Sequence, residues 1–148
     1  MRITNAFDIS TSALTAQRMR MDVISSNIAN AETTRGRLVD GKWVPYARKL
    51  VHFSPVEKSF SQILNEATDT TGRGVTISKI TEDRTPFKRV FNPTHPDSDE
   101  NGYLLMPNVD PLKEMVDMIS ATRSYEANVV ALNASKIMFA KALDIGKQ

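Results

Sequence analysis

The stretch NVDPLKEMVDMISATRSYEANVVALNASKIMFAKALDIG, residues 108–146, decides the fold. Asp110 followed by Pro111 reads as a helix N-cap ahead of a proline at the first helical position, where a missing N–H leaves no bond unmade. From there Met115, Met118, Thr122, Tyr125, Val129, Leu132, Lys136, Phe139 and Leu143 recur at alternating steps of three and four. Seven of these nine are apolar or aromatic, which is the seam of a packed helix and not the alternation of a strand. No Gly or Pro interrupts residues 112–145, so the spacing predicts one helix of roughly 50 Å. Gly146, flanked by Lys141 and Lys147, reads as its stop.

Working outward, the N-terminal stretch carries the same signature. Ile3, Phe7, Ser10, Leu14, Gln17, Met21, Ile24, Ile28 and Ala31 form a second seam, again with seven apolar members of nine. Asn5 is the expected N-cap and Asp8 the first-turn acid, and Arg35-Gly36 reads as the exit. Between the helices the composition changes. Six of the seven prolines fall at 45, 55, 86, 93, 96 and 107. Runs rich in β-formers occur at Trp43–Phe53, Val75–Thr81, Phe87–Phe91 and Tyr103–Met106, with loop signals at Gly72-Arg73-Gly74 and from Asn92-Pro93 to Gly102. Phe60, Ile63 and Leu64 suit a short helical turn. The expected fold is therefore mainly α with a small β insertion of two short hairpins. The long terminal helices pack as a coiled-coil-like pair. The divisions are residues 1–34 (N-terminal helix), 35–107 (β-rich insertion) and 108–148 (C-terminal helix).

Two long helices cannot bury both flanks of each seam by pairing only with each other. Ala6, Ala13 and Ala16 on one, and Val116, Ile119, Val130 and Ile137 on the other, remain as second apolar flanks. More helices are needed to cover them, so self-association or hetero-association is the expected purpose.

Composition closes other routes. The chain of 148 residues contains no cysteine, which excludes disulfides, thiolate zinc sites and thiol catalysis. His52 and His95 are isolated, and the Asp97, Asp99, Glu100 cluster lacks the spacing and turn glycine of an EF-hand loop. No nucleophile elbow, zinc-helix motif, P-loop or dinucleotide fingerprint occurs, so neither an enzyme nor a cofactor or metal is expected. Asn133-Ala134-Ser135 matches a glycosylation sequon by chance within a helix. The pI near 9 reflects a net charge of only +2. Its densest basic group (Arg35, Arg37, Lys42, Arg48, Lys49) lacks the clustering of a nucleic-acid surface. No apolar run approaches the roughly 20 residues that span a bilayer, and the N-terminus lacks the pattern of a cleaved signal peptide. The expectation is a chain that is not membrane-inserted, either cytoplasmic or exported without a cleaved signal. Seven Met suit surfaces that adapt to partners.

Ser26-Asn-Ile-Ala-Asn-Ala-Glu-Thr33 admits two readings. Asn27 and Asn30 either satisfy loose carbonyls at a helix end, or share a face with small Ala29 and Ala31 as a partly buried amide that fixes register.

With Ser12-Ala-Leu-Thr-Ala-Gln17, this stretch resembles the signature of bacterial flagellar axial proteins, the family of rod, hook and hook-associated subunits. Met106-Pro-Asn-Val-Asp110, Glu114-Met-Val-Asp-Met-Ile119, Ala121-Thr-Arg-Ser-Tyr-Glu-Ala-Asn-Val129 and Ala142-Leu-Asp-Ile-Gly146 are similar to the basal-body rod branch, in particular its short proximal-rod members. The resemblance covers both termini, about half the chain. It implies subunits that stack helically into a tube, with terminal helices lining an export channel, ordering on assembly and transmitting motor torque. It implies export by the flagellum-specific type III route and residence in the periplasmic rod. The implied partners are other copies, other rod subunits and the membrane-ring and export-apparatus side of the basal body. The implied interface residues are Phe7, Leu14, Met21, Ile24, Asn27, Ile28, Asn30, Met115, Met118, Tyr125, Asn128, Val129, Leu132, Phe139 and Leu143, and the asparagine reading then leans toward register-setting. Without the resemblance, the alternative is a cytoplasmic coiled-coil adaptor that dimerises.

Overall fold

A computed structural model of the chain describes residues 3–56 and 73–146. Two helices frame three short antiparallel strand pairs. Helix α1 spans Ile3–Ala29 and α2 spans Pro111–Ile145. Between them run β1 (Arg37–Val39), β2 (Lys42–Val44), β3 (Lys49–Pro55), β4 (Val75–Glu82), β5 (Lys88–Phe91) and β6 (Tyr103–Met106). The ladders are β1 with β2, β3 with β4, and β5 with β6. The chain is thus mainly helical with a small β part.

Helix α2 starts as the sequence predicts. The Asp110 carboxylate accepts a hydrogen bond from the Leu112 N–H at 3.1 Å, and its carbonyl accepts the first helical bond, from the Glu114 N–H at 3.0 Å. The start of α1 differs. Asn5 lies inside the helix, which begins at Ile3, and so is not its N-cap. At the other end the regular helix stops at Ala29. Asn30 Nδ2 there donates to the Ser26 carbonyl at 2.9 Å, and the Ala31 N–H turns back to the Ile28 carbonyl. Ala31 falls in this turn, beyond the helical seam.

The β part holds three ladders where two hairpins were expected. The Trp43–Phe53 run is broken at Pro45–Arg48 into β2 and β3, since proline cannot donate to a ladder. Strand β1 was missed altogether. Asp40-Gly41 joins it to β2, with φ of 49° and 77°, the two left-handed positions of a type I′ turn whose twist suits a tight hairpin. Val39 faces Lys42 and Leu38 faces Trp43 across the ladder. In the third ladder Phe91 faces Tyr103 with ring centroids 5.4 Å apart, and the Arg89 guanidinium lies 4.9 Å from the Tyr103 ring. The helical turn expected at Phe60, Ile63 and Leu64 lies outside the described residues.

The chain divides into two compact units. The first comprises residues 1–20, 52–79 and 121–148. Within it Ser10, Ala16 and Ala121 are buried, and the rings of Phe7 and Phe139 meet edge to face at 6.5 Å. Ser12 Oγ donates to the Ile9 carbonyl at 2.7 Å and accepts from the Val75 N–H at 3.1 Å, tying α1 to the start of β4. The second unit comprises residues 21–51 and 80–120. Its buried side chains include Val23, Ile24, Leu104 and Val109, but also Asn27 and Glu114.

Gly36 makes the turn from α1 into the β part possible in this second unit. Its N–H donates to the Val44 carbonyl at 2.9 Å, and a Cβ there would sit 2.7 Å from the Tyr46 backbone nitrogen. Gly36 is exposed, but the obstructing atoms are main chain of Pro45 and Tyr46, which cannot swing aside as the end of a side chain can. Gly36→Ala is therefore expected to destabilise the folded chain by about 1–3 kcal/mol, read as a lowered urea midpoint, whereas Gly41→Asn at the hairpin tip, a left-handed position with open space around it, should be nearly silent.

Candidate functional site

Two features follow from this arrangement, a polar node inside the second unit and an apolar stripe along α2. The node begins with Asn27, on the last turns of α1 and 1% exposed. Its Nδ2 donates to the Lys49 carbonyl at 2.9 Å and to Glu114 Oε2 at 3.0 Å. Its Oδ1 accepts from the Lys49 N–H at 2.9 Å and from the Tyr46 hydroxyl at 3.0 Å. A primary amide has two donor hydrogens and two acceptor lone pairs, and all four are used. Toward Lys49 the amide behaves as a strand neighbour would, pairing with both backbone groups of one residue.

Glu114, also 1% exposed, occupies the first turn of α2. A carboxylate so placed must recover its lost hydration from partners. Oε2 has the Asn27 amide, and Oε1 accepts from Arg48 Nε at 2.6 Å and from the terminal guanidinium nitrogen. The same guanidinium reaches Asp117 at 3.5 Å and Asp83 at 3.8 Å. Asn108 adds a second clamp. Its Oδ1 accepts from the Arg48 N–H at 2.8 Å, and its Nδ2 donates to the Thr85 carbonyl and hydroxyl, each at 3.0 Å. Five segments of the second unit meet here: the end of α1, the start of β3, the turn after β4, the approach to α2, and its first turns.

This node assigns the two asparagines different roles. Asn30 makes local bonds at the helix end, to Ser26 and from the Thr33 hydroxyl. Asn27 makes the buried contact between α1, β3 and α2, and it makes it within one chain. Four of the five members of the basic group are likewise engaged: Arg48 in the node, Arg37 with Glu82 at 3.0 Å, Arg35 with Asp97, and Lys49 beside the Tyr46 ring. Among the described residues no group of three or more His, Asp or Glu is assembled to hold a metal ion, and no helix is long and apolar enough to cross a membrane.

Of the remaining sequence-predicted interface residues, Ile24 is buried. Phe7, Leu14, Met21, Ile28, Met118, Tyr125, Asn128, Val129 and Leu132 are half-buried, and Met115, Phe139 and Leu143 are exposed. Asn128 donates to the Ser124 carbonyl at 2.8 Å, a bond within its own helix. The expected second flank on α2 stands open, with Val130 at 68% exposure and Ile137 at 63%, and Val116 and Ile119 exposed as well. On α1 the expected flank divides: Ala6 is exposed, Ala13 half-buried, and Ala16 buried within the first unit. Arg48 and Glu114, which organise the node, were not among the predicted site residues.

Two carboxylates, Asp83 at the edge of the node and Asp97 outside it, set a pH dependence. Asp83 is held below the usual carboxylate range, chiefly by the Thr85 N–H, with the Thr85 hydroxyl, Arg48 and Lys113 acting the same way and burial opposing. Asp97 is lowered by hydrogen bonds from Arg35 and then Thr34. A depressed folded pKa contributes stability that is present above the unfolded value of about 3.9 and lost as pH falls through the folded value. Urea midpoints should therefore hold between pH 7 and 5 and fall below about 4, with a smaller acid-induced drop in Asp83→Asn. Glu114→Ala, which takes from Arg48 its closest carboxylate and from the Asn27 amide one acceptor, should cost about 3 kcal/mol at neutral pH in the same measurement.

Comparison with known proteins places these features in a family. Residues 7–36 match the family described as "Flagella basal body rod protein", and residues 100–145 match "Flagellar basal body rod FlgEFG protein C-terminal". The flagellar basal-body rod protein FlgC of Bacillus subtilis is 57% identical over 146 residues, covering 97% of each chain. The proteins of the same name from Borreliella burgdorferi and Salmonella typhimurium are each 42% identical, over 98% of both chains and over 99% and 100% respectively. The matched segments contain both halves of the central contact, Asn27 and Glu114, and the similarity to these relatives spans nearly the whole chain: the chain belongs to the FlgC family of flagellar basal-body rod proteins.

Proposed function

We propose that the chain is a structural subunit of the flagellar basal-body rod that acts by assembly and not by catalysis. The observation that carries this is the apolar stripe of α2, which its own chain leaves uncovered, in a protein whose relatives are named for the rod. Exposed apolar surface of this length is costly in a free monomer and becomes favourable once helices from neighbours cover it. The partners are accordingly other copies of the chain and other rod subunits, together with the membrane-ring and export-apparatus side of the basal body.

In this reading residues 1–34 and 108–148 form the helical core of the assembly, and residues 35–107 form the β-rich insertion. The two helices take up coiled-coil-like packing when stacked helically into a tube around the export channel. Half-buried seam residues such as Leu14, Met21, Tyr125, Val129 and Leu132 complete their burial against neighbours, and exposed Phe139 and Leu143 do so near the C-terminus. Such a tube carries torque because many helices share the shear along their length. The rod lies in the periplasm, and the subunit reaches it by the flagellar export route without a cleaved signal. A cytoplasmic adaptor forming a closed dimer gains no support from the relatives.

The exposed flank gives a clean test. Val130→Asp with Ile137→Asp alters surface positions, so the unfolding free energy of the monomer in urea should stay within about 0.5 kcal/mol of wild type. The export of the chain should remain detectable, while rod assembly and swimming are lost. Normal motility in that double variant would remove the interface from this face of α2. A companion change at the seam, Leu132→Asp with Phe139→Asp, should also abolish assembly.

A further inference from the structure

The helical seams have a weakness that the polar node repairs. Apolar positions recur every three or four residues along both helices, so apolar packing alone distinguishes poorly between registers one turn apart, about 5.4 Å. The node is not periodic. Sliding α1 by one turn would bring Val23 or Ala31 opposite Lys49, leaving both backbone groups of Lys49 without the Asn27 amide. Sliding α2 by one turn would bring Asp110 or Met118 opposite Arg48, and the Met118 register would leave the guanidinium without its closest carboxylate. Buried polar groups stripped of partners are far more costly than misfitted apolar ones.

We infer that Asn27, Glu114 and Arg48 form a register lock within the single subunit. The lock disfavours a shift of α1 in either direction and a shift of α2 toward Met118, so that the end of α1 and the first turns of α2 close on the start of β3 in the native register. It thereby folds residues 21–51 and 80–120 as one cooperative block. In the native lock the amide is on α1 and the acid on α2: Asn27 Nδ2 donates toward Glu114 while Glu114 Oε1 accepts from Arg48. An acid at both positions sets two carboxylates against each other, whereas exchanging the pair keeps the charge of the node and restores a donor between the helices. This inference stands on the node's geometry and not on the rod reading, and a dilute monomer tests it without any assembly.

Hydrogen exchange with mass spectrometry, on the full chain diluted until light scattering gives a monomer, reads the lock directly. In Asn27→Asp, amides of residues 112–120 are expected to exchange about 100-fold faster, together with those of 21–29 and 46–51, although Glu114 is 87 residues away in sequence. Asn27→Asp with Glu114→Gln should recover at least about tenfold of that loss in all three segments. Asn30→Ala, which removes only local bonds, should change residues 26–33 alone. The inference is overturned if Asn27→Asp speeds exchange near residue 27 while 112–120 keep the wild-type rate. It is overturned equally if the exchanged pair is as fast as the single variant. Should Asn27→Asp fail to fold at all, the exchanged pair decides: a folded, protected chain supports the lock and an unfolded one refutes it.

Discussion

A carboxylate that is 1% exposed in the first turn of a helix constrains everything around it. Glu114 gives up nearly all of its hydration, and an ion in that position loses several kcal/mol unless its oxygens are met by donors. The donors come from Asn27 on α1 and Arg48 before β3, so α1, β3 and α2 of the second unit must arrive together or Glu114 cannot be buried. Arg48 in turn needs its backbone held, which Asn108 and the Asp83 N–H accomplish from the segments flanking β5 and β6. One buried charge thereby determines the arrangement of five segments.

The apolar residues buried in this unit are few, and two of the largest fully buried side chains of the described protein, Glu114 and Asn27, are polar. Hydrophobic burial is non-directional and rewards any compact arrangement about equally. A saturated amide and a carboxylate with three donors reward only one. Under the inferred lock the second unit exchanges some transfer free energy for definition, a use of buried polar groups known where register must be single. The β part contributes through the same logic: β3 presents the backbone of Lys49 at the place where the Asn27 amide can pair with it.

The helices were legible because their signals are local. Asp110-Pro111 and a seam of period 3.5 fix the start and course of α2, and the continuous run without Gly or Pro fixes its extent. Strand β1 was legible too but was missed, since Asp40-Gly41 between Leu38-Val39 and Lys42-Trp43 is a strong hairpin signal. The Trp43–Phe53 run reads as one strand from sequence because its β-formers outweigh the single Pro45. Asn27 was singled out on spacing, with its role undecided. Arg48 and Glu114 carried no signal as a pair, because they lie 66 residues apart and each looks like an ordinary charged surface residue in its own segment. Burial of a charge is a property of the tertiary fold, so only the completed contact could identify it.

The distribution of polarity in the two helices runs against that of a self-sufficient monomer. The end of α1 and the start of α2 turn a polar residue each inward, and α2 turns Val116, Ile119, Val130 and Ile137 outward. A monomer optimised for itself would reverse these choices, burying the apolar residues and exposing the glutamate. An assembling subunit gains from the arrangement as it stands. Apolar stripes of seam periodicity bind strongly but choose register weakly, so a neighbour added to them could settle one turn away at little penalty. If the polar lock fixes α1 and α2 first, the stripe each subunit presents has a single axial phase. Strength then resides in the outward apolar face and precision in the inward polar node, each placed where its physics serves it.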